Sequence, residues 1–217
     1  NNVVLEAYTD DMVSIELINS SSLNLQGNLV RGAAAFGVLT SDATSSVVYN
    51  SSSVQQYIAA GGSGSGDSIV YSNLILNNTL DSIPQMIVSG GDLYVSNQLT
   101  LSSGVLKTKP DSLLVIANGA NSTLGSSVAF VDGPVSKVGS GAFTFPVGRD
   151  TVYAPITISS PFSETDQFTA EYILEDPNIS YDRSQKEDVV HGVSSCEYWT
   201  LNRVSGTSNV SVTIGWG

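Results

Sequence analysis

The chain has 217 residues, of which 41% are hydrophobic and only 13% charged. A charged fraction about half that of ordinary soluble proteins excludes a coiled coil, which needs abundant Glu and Lys at heptad spacing. Eight Lys and Arg stand against 20 Asp and Glu, a net charge of −12. That balance excludes a nucleic-acid binder and disfavours anionic membrane surfaces, because no basic cluster is present to neutralise phosphates.

No apolar run reaches the ~18 residues of a membrane helix, so no membrane insertion is expected. Asn1-Asn2 is an unusual native start, and the strand pattern over Val210–Trp216 stops at the last residue. The sequence therefore reads as a mature or internal piece of a longer protein.

In chain order, the apolar pattern has period two almost throughout, with β-branched residues enriched. Ser22–Leu25, Leu99–Leu101, Phe143–Phe145 and Asn209–Ile214 all alternate. Two stretches suggest short helices: Gln55–Ala60 and Ser184–Val190. Apolar clusters centred on Leu25, Val48, Val70, Leu93 and Leu114 advance by 23, 22, 23 and 21 residues. Between them lie corners rich in Ser, Gly, Asn and Asp, such as Gly61–Asp67 and Gly90-Gly91-Asp92. A steady advance with small polar corners predicts a β-solenoid, each coil returning ~4.8 Å above the last. An antiparallel sandwich throughout also fits the turn spacing, but the low charge favours the solenoid.

The texture then changes. Seven of the eight basic residues lie from Lys107 onward, and aromatic residues concentrate from Phe143. Bulky rings suit two facing sheets ~10 Å apart. The expected architecture is all-β: a β-solenoid-like region over residues 1–132, then an antiparallel β-sandwich unit over 133–217, incomplete at its C-terminal edge. Trp199 and Leu201 are expected in the core, and Arg203 is a candidate partner for Glu197 or another carboxylate.

The second unit carries the most specific wording: Gly139-Ser140-Gly141-Ala142-Phe143-Thr144-Phe145-Pro146-Val147-Gly148, then Tyr153–Ile158, then Cys196-Glu197-Tyr198-Trp199-Thr200-Leu201-Asn202-Arg203. Over residues 128–217 this resembles a module of very large secreted and cell-surface proteins of the Bacteroidota. The resemblance implies export by the type IX secretion system, an extracellular location, and service in adhesins, gliding filaments or surface fibres. Its partners would be adjacent modules or identical copies in a fibre, with surface glycans as further candidates. It also implies that Cys196 pairs with a cysteine outside this segment. The same bacteria attach O-glycans at Asp-Ser/Thr-apolar tripeptides. Four are present, with Ser68, Ser82, Ser112 and Thr151 as acceptors; Asp-Ser is also simply a good turn former.

Catalytic readings find little. His191 is the single histidine, so a Ser-His-Asp triad has one possible base. Gly62–Gly66 is a flexible Gly/Ser run rather than a nucleophile elbow. Cys196, the single cysteine, has no nearby base in sequence. The enzyme rival is a polysaccharide lyase or hydrolase on a β-helix, yet only Arg31 precedes Lys107 as a basic residue. Its acid pairs are unspecific: Asp10-Asp11 face opposite sides of a strand, and Asp67, Asp81, Asp92 and Asp111 sit at corners. No cofactor is expected beyond weak calcium binding at Glu164/Asp166, Glu175-Asp176 or Glu187-Asp188. Exposed Tyr49 or Tyr181 would serve a glycan-binding module. The expectation is a noncatalytic structural and adhesive module.

Overall fold

The computed structural model describes residues 3–5, 13–31, 37–61 and 69–215. Over these the chain winds as a β-solenoid, in which three successive strand positions define three faces. The winding begins with β1 (Val3–Leu5), β2 (Val13–Leu17), β3 (Ser22–Leu25) and β4 (Leu29–Arg31). Next come β5 (Gly37–Ser41), β6 (Ser46–Tyr49) and β7 (Gln56–Ala59). The long strands β8 (Val70–Asn77) and β10 (Leu93–Ser103) each serve two faces, followed on the third by β9 (Met86–Ser89) and β11 (Leu106–Lys107). Then follow β12 (Leu114–Ile116), β13 (Asn121–Ser122), β14 (Val131–Asp132), β15 (Val135–Val138), β16 (Phe143–Phe145) and β17 (Val147–Arg149).

Every pairing from β1 to β17 is parallel. Parallel in-register coils place like side chains above one another. On the first face, Leu93, Leu114 and Val135 align. On the second, Leu25, Tyr49, Leu76 and Leu101 align. On the third, Gln56, Met86, Leu106, Val131 and Val147 align. All of these are buried. Each inner Leu or Val contributes roughly 1.5–3 kcal/mol of burial, and strand alternation sends its neighbours outward, as in β6 and β20.

Polar corners are stitched between coils. The Asn73 Nδ2 donates to Ala43 O at 2.9 Å and Ser45 O at 2.8 Å, while Asn97 Nδ2 donates to Asn73 Oδ1 at 2.7 Å. Inside, the fully buried Gln56 Nε2 donates to Leu25 O and Gly27 O at 2.8 and 2.6 Å. Its Oε1 accepts from Ser51 N and Asn78 Nδ2. Hydrogen bonds from Ser45 and Thr44 hold the Asp42 carboxyl down to about 2.

After β17 the chain reverses through Asp150, at φ +55. The next coil is wound backwards: β18 (Val152–Tyr153) pairs antiparallel with β17, β19 (Ile156–Ile158) with β16, and β20 (Gln167–Ile173) with β15. A second reversal brings β21 (Tyr198–Ser205) against β20 and β22 (Val212–Ile214) against β19, again antiparallel. The β15-β20-β21 and β16-β19-β22 groups thus make two antiparallel layers, and the aromatic residues of the second unit fill their core: Phe143, Phe145, Phe168 and Tyr172, with Trp199 and Leu201 packed against it. One nine-stranded sheet runs from β3 to β21 through the expected boundary at 132/133. There Gly133 turns at φ +127, and a Cβ would stand 2.5 Å from Thr108 O.

Four local expectations are corrected. Gln55–Ala60 holds strand β7 rather than a helix, because Gln56 and Ile58 point inward between coils. Ser184–Val190 forms successive turns; the one helical turn among the described residues is Pro177–Ile179, started by the Asp176 side chain accepting from Asn178 N. Tyr49 is fully buried rather than exposed, its hydroxyl 3.1 Å from that of Tyr71. The Arg203 guanidinium turns to Thr207 O, Ser208 O and Asn209 Oδ1 rather than Glu197, and the carboxylate its charge acts on is Asp166.

Candidate functional site

The third face ends in a charged groove. Lys107, Asp132 and Arg149 stand at the ends of β11, β14 and β17; Lys107 and Asp132 are register partners, and Arg149 lies one residue beyond Gly148, the partner of Asp132. Asp132 Oδ1 lies 2.7 Å from Lys107 Nζ and 3.3 Å from Arg149 Nη1. Its Oδ2 accepts from Asp150 N at 3.3 Å. Arg149 Nη2 continues the chain to Glu171 Oε1 at 2.8 Å. The Asp132 side chain is 4% exposed, so its charge is neutralised by cations rather than by water.

Beside this cluster is an open hollow of about 250 Å³, lined by Ile83, Pro84, Lys107, Asp132, Asp150 and Thr151. It offers one ammonium, one hydroxyl, two carboxylates and an apolar wall. Both Asp132 oxygens are engaged, Oδ1 by Lys107 and Arg149 and Oδ2 by the Asp150 amide.

Two of the candidate acceptor tripeptides converge here. Ser82 is exposed in the corner leading to β9, next to Ile83; Thr151 is exposed at the reversal. Ser112 is half-buried in a tight turn in which Lys109 and Ser112 exchange backbone hydrogen bonds at 3.3 and 3.0 Å. Ser68 lies outside the described residues, as do Asp10-Asp11, Asp67 and Gly62–Gly66.

The other singled-out residues fall on one long connection, 174–197, between β20 and β21. It carries His191 and Cys196, both exposed, far beyond the usual 2–5 residues of a hairpin loop. Cys196 is free, with Ser194 Oγ 3.6 Å from its sulfur. Ile179, Tyr181 and Val189 are exposed at 74%, 57% and 82%. Tyr181 stands edge-on against Tyr198, ring centres 5.6 Å apart, and the Tyr198 hydroxyl donates to Glu175 Oε1 at 3.0 Å. Arg183 pairs with Asp176 across 3.1 Å. Asp166, of the acidic groups, is tied into its own corner by Ser208 Oγ and the Ser163 and Thr207 amides, which lower its carboxyl below the usual range. Among the described residues no group of three His, Cys, Asp or Glu side chains is placed to hold a metal ion.

Sequence reasoning missed the Lys107–Asp132–Arg149 row. Its spacings, 25 and 17 residues, are not equal; coil register aligns Lys107 with Asp132, and Arg149 joins them only through its side chain. No family model matches the chain, and no curated protein or solved structure is significantly similar to it.

Proposed function

We propose that the chain is a noncatalytic structural and adhesive module of a large extracellular bacterial surface protein or fibre. The observation that carries this reading is the stack of aligned inner side chains on all three faces, tied at the corners by side-chain-to-backbone bonds. Such a body is a stiff spacer, because each coil is supported by its neighbours along the whole stack. The resemblance of residues 139–148 and 196–203 to modules of giant type IX-secreted surface proteins supports the same reading, with O-glycans carried at Ser68, Ser82, Ser112 and Thr151. In that setting Cys196, exposed and free, pairs with a cysteine elsewhere in the longer protein.

Beads coated with the chain test this: they adhere to a target cell surface, soluble chain competes, and the surface glycans emerge chemically intact. Release of reducing or unsaturated ends from any neutral or acidic polysaccharide overturns it in favour of a lyase or hydrolase. Glycan binding is the second reading, favoured by the exposed Tyr181 ring braced on Tyr198. Saturable glycan-array binding lost in Tyr181→Ala separates it from purely structural service.

A further inference from the structure

The three faces differ in charge. The first carries Glu16, Glu171 and Arg203; the third carries Lys107, Asp132 and Arg149. The second is built from β3, β6, the distal halves of β8 and β10, β13, β16, β19 and β22. Not one residue of these segments (22–25, 46–49, 73–77, 98–103, 121–122, 143–145, 156–158 and 212–214) is charged. In a chain of net −12, that is a long neutral strip.

Its outward side chains stand in rows. Val48, Ile75 and Thr100 are direct cross-strand neighbours on β6, β8 and β10. Thr144, Thr157 and Thr213 do the same on β16, β19 and β22, with the Thr144 and Thr157 hydroxyls 2.9 Å apart. All six are at least partly exposed.

We propose that this second face is a self-association surface on which two copies of the chain pack sheet against sheet. Three points single out a second copy. Two bodies of charge −12 repel wherever carboxylates meet, and the described second face carries no charge of either sign, whereas the first exposes Glu16 and the third presents the cations Lys107 and Arg149. A neutral surface of small hydroxyl, amide and β-branched side chains is self-complementary, as a two-fold interface requires, and such faces interdigitate in stacked sheets. Five strand segments of the nine-stranded sheet and the three of the separate β16-β19-β22 sheet, spaced ~4.8 Å within each and about 14 Å wide, offer roughly 500 Å² per copy, or about 1,000 Å² per pair, the lower bound of a specific interface. The aromatic rings of the face, Tyr49, Phe143 and Phe145, all point inward, so no platform for stacking a sugar ring is presented. This inference stands independently of the adhesive reading.

Sedimentation equilibrium of the full chain at about 100 µM is the test. The expected result is a reversible dimer whose association constant rises several-fold between 20 and 500 mM NaCl, as salt screens the net repulsion. Ile75→Lys, at the centre of one row, and Thr213→Lys, fully on the surface of the other, each weaken it at least ten-fold. Ser89→Lys, exposed on the third face, leaves it unchanged, and thermal melting confirms that all three variants fold. A monomer at every salt concentration overturns the proposal, as does a dimer indifferent to both second-face lysines. A monomer that instead binds insoluble neutral polysaccharide through this face overturns it in favour of a glycan. A plain monomer leaves the proposed structural function standing, whereas polysaccharide binding through this face would favour its glycan-binding second reading.

Discussion

The buried ammonium of Lys137 gives the fold an alkaline stability maximum. Lys137 is 4% exposed. Its Nζ donates to Ala117 O at 2.7 Å and Ala120 O at 2.5 Å and lies 5.4 Å from the centre of the Phe143 ring. Among the described residues no carboxylate forms an ion pair with it. Burial pushes its pKa down to about 8, from 10.5 in the open chain. Below pH 8 both states are protonated, and the folded state bears the full cost of a desolvated charge. Between pH 8 and 10.5 the unfolded chain keeps the proton that the folded chain has shed. Unfolding then takes up a proton, and stability rises by about 1.4 kcal/mol per pH unit, up to roughly 3 kcal/mol in all. The buried tyrosines act oppositely. Burial pushes Tyr49 up to about 12 and Tyr71 well above its usual value, so above pH 10 unfolding releases protons and stability falls. Urea unfolding at half-unit steps from pH 7 to 11 should therefore show a maximum between about pH 9 and 10. In Lys137→Met the rise from pH 8 to 10 disappears while the fall above pH 10 persists. A wild-type chain whose stability is flat or falling from pH 8 to 9.5, or a Met variant that keeps the rise, refutes the reasoning.

Other substitutions read single features. Gln56→Leu keeps the volume but removes four hydrogen bonds between coils; Leu25 O keeps Asn50 N and Asn78 Nδ2 keeps Val54 O, so the loss falls on Ser51 N and Gly27 O and should cost about 2–4 kcal/mol in urea unfolding. Gly148→Ala places a Cβ 2.3 Å from Val152 O and 2.6 Å from the Phe130 ring; a loss of about 2–4 kcal/mol is expected, because backbone and a buried ring must both move. Asp132→Asn removes the carboxylate shared by Lys107 and Arg149 and should lower stability by about 1–3 kcal/mol in urea unfolding at pH 7. Peptide mass spectrometry of chain from its native host should find hexose-bearing Ser82 and Thr151, which are exposed; unmodified peptides at both sites would remove the glycan expectation.

Much of the fold was legible because strands announce themselves by local alternation. The step from Leu93 to Leu114 is a true coil, with the two residues in register. The step from Val48 to Val70 is not: Val48 faces Ile75, 27 residues on, because corners differ in length and β8 bends to serve two faces. Gln55–Ala60 misled because Gln and Ala favour helix locally, whereas the Gln56 amide finds its partners 29 and 31 residues away. The candidate site was less legible. Asp81-Ser82-Ile83 and Asp150-Thr151 are turn-like in sequence, but their meeting at one hollow is a product of winding. The neutrality of the second face was hidden likewise, since each strand contributes only two to six residues of it.

The backward coil has a consequence for assembly of the fold itself. A pile of look-alike parallel coils invites slippage by one whole turn, since each level offers much the same ladder to the next. Strands β18, β19 and β20 cannot trade places with any forward-running neighbour, because their hydrogen bonds are perpendicular pairs where the others are slanted. They work as an index mark: once that level is seated between β15–β17 and β21–β22, every level beneath has one address.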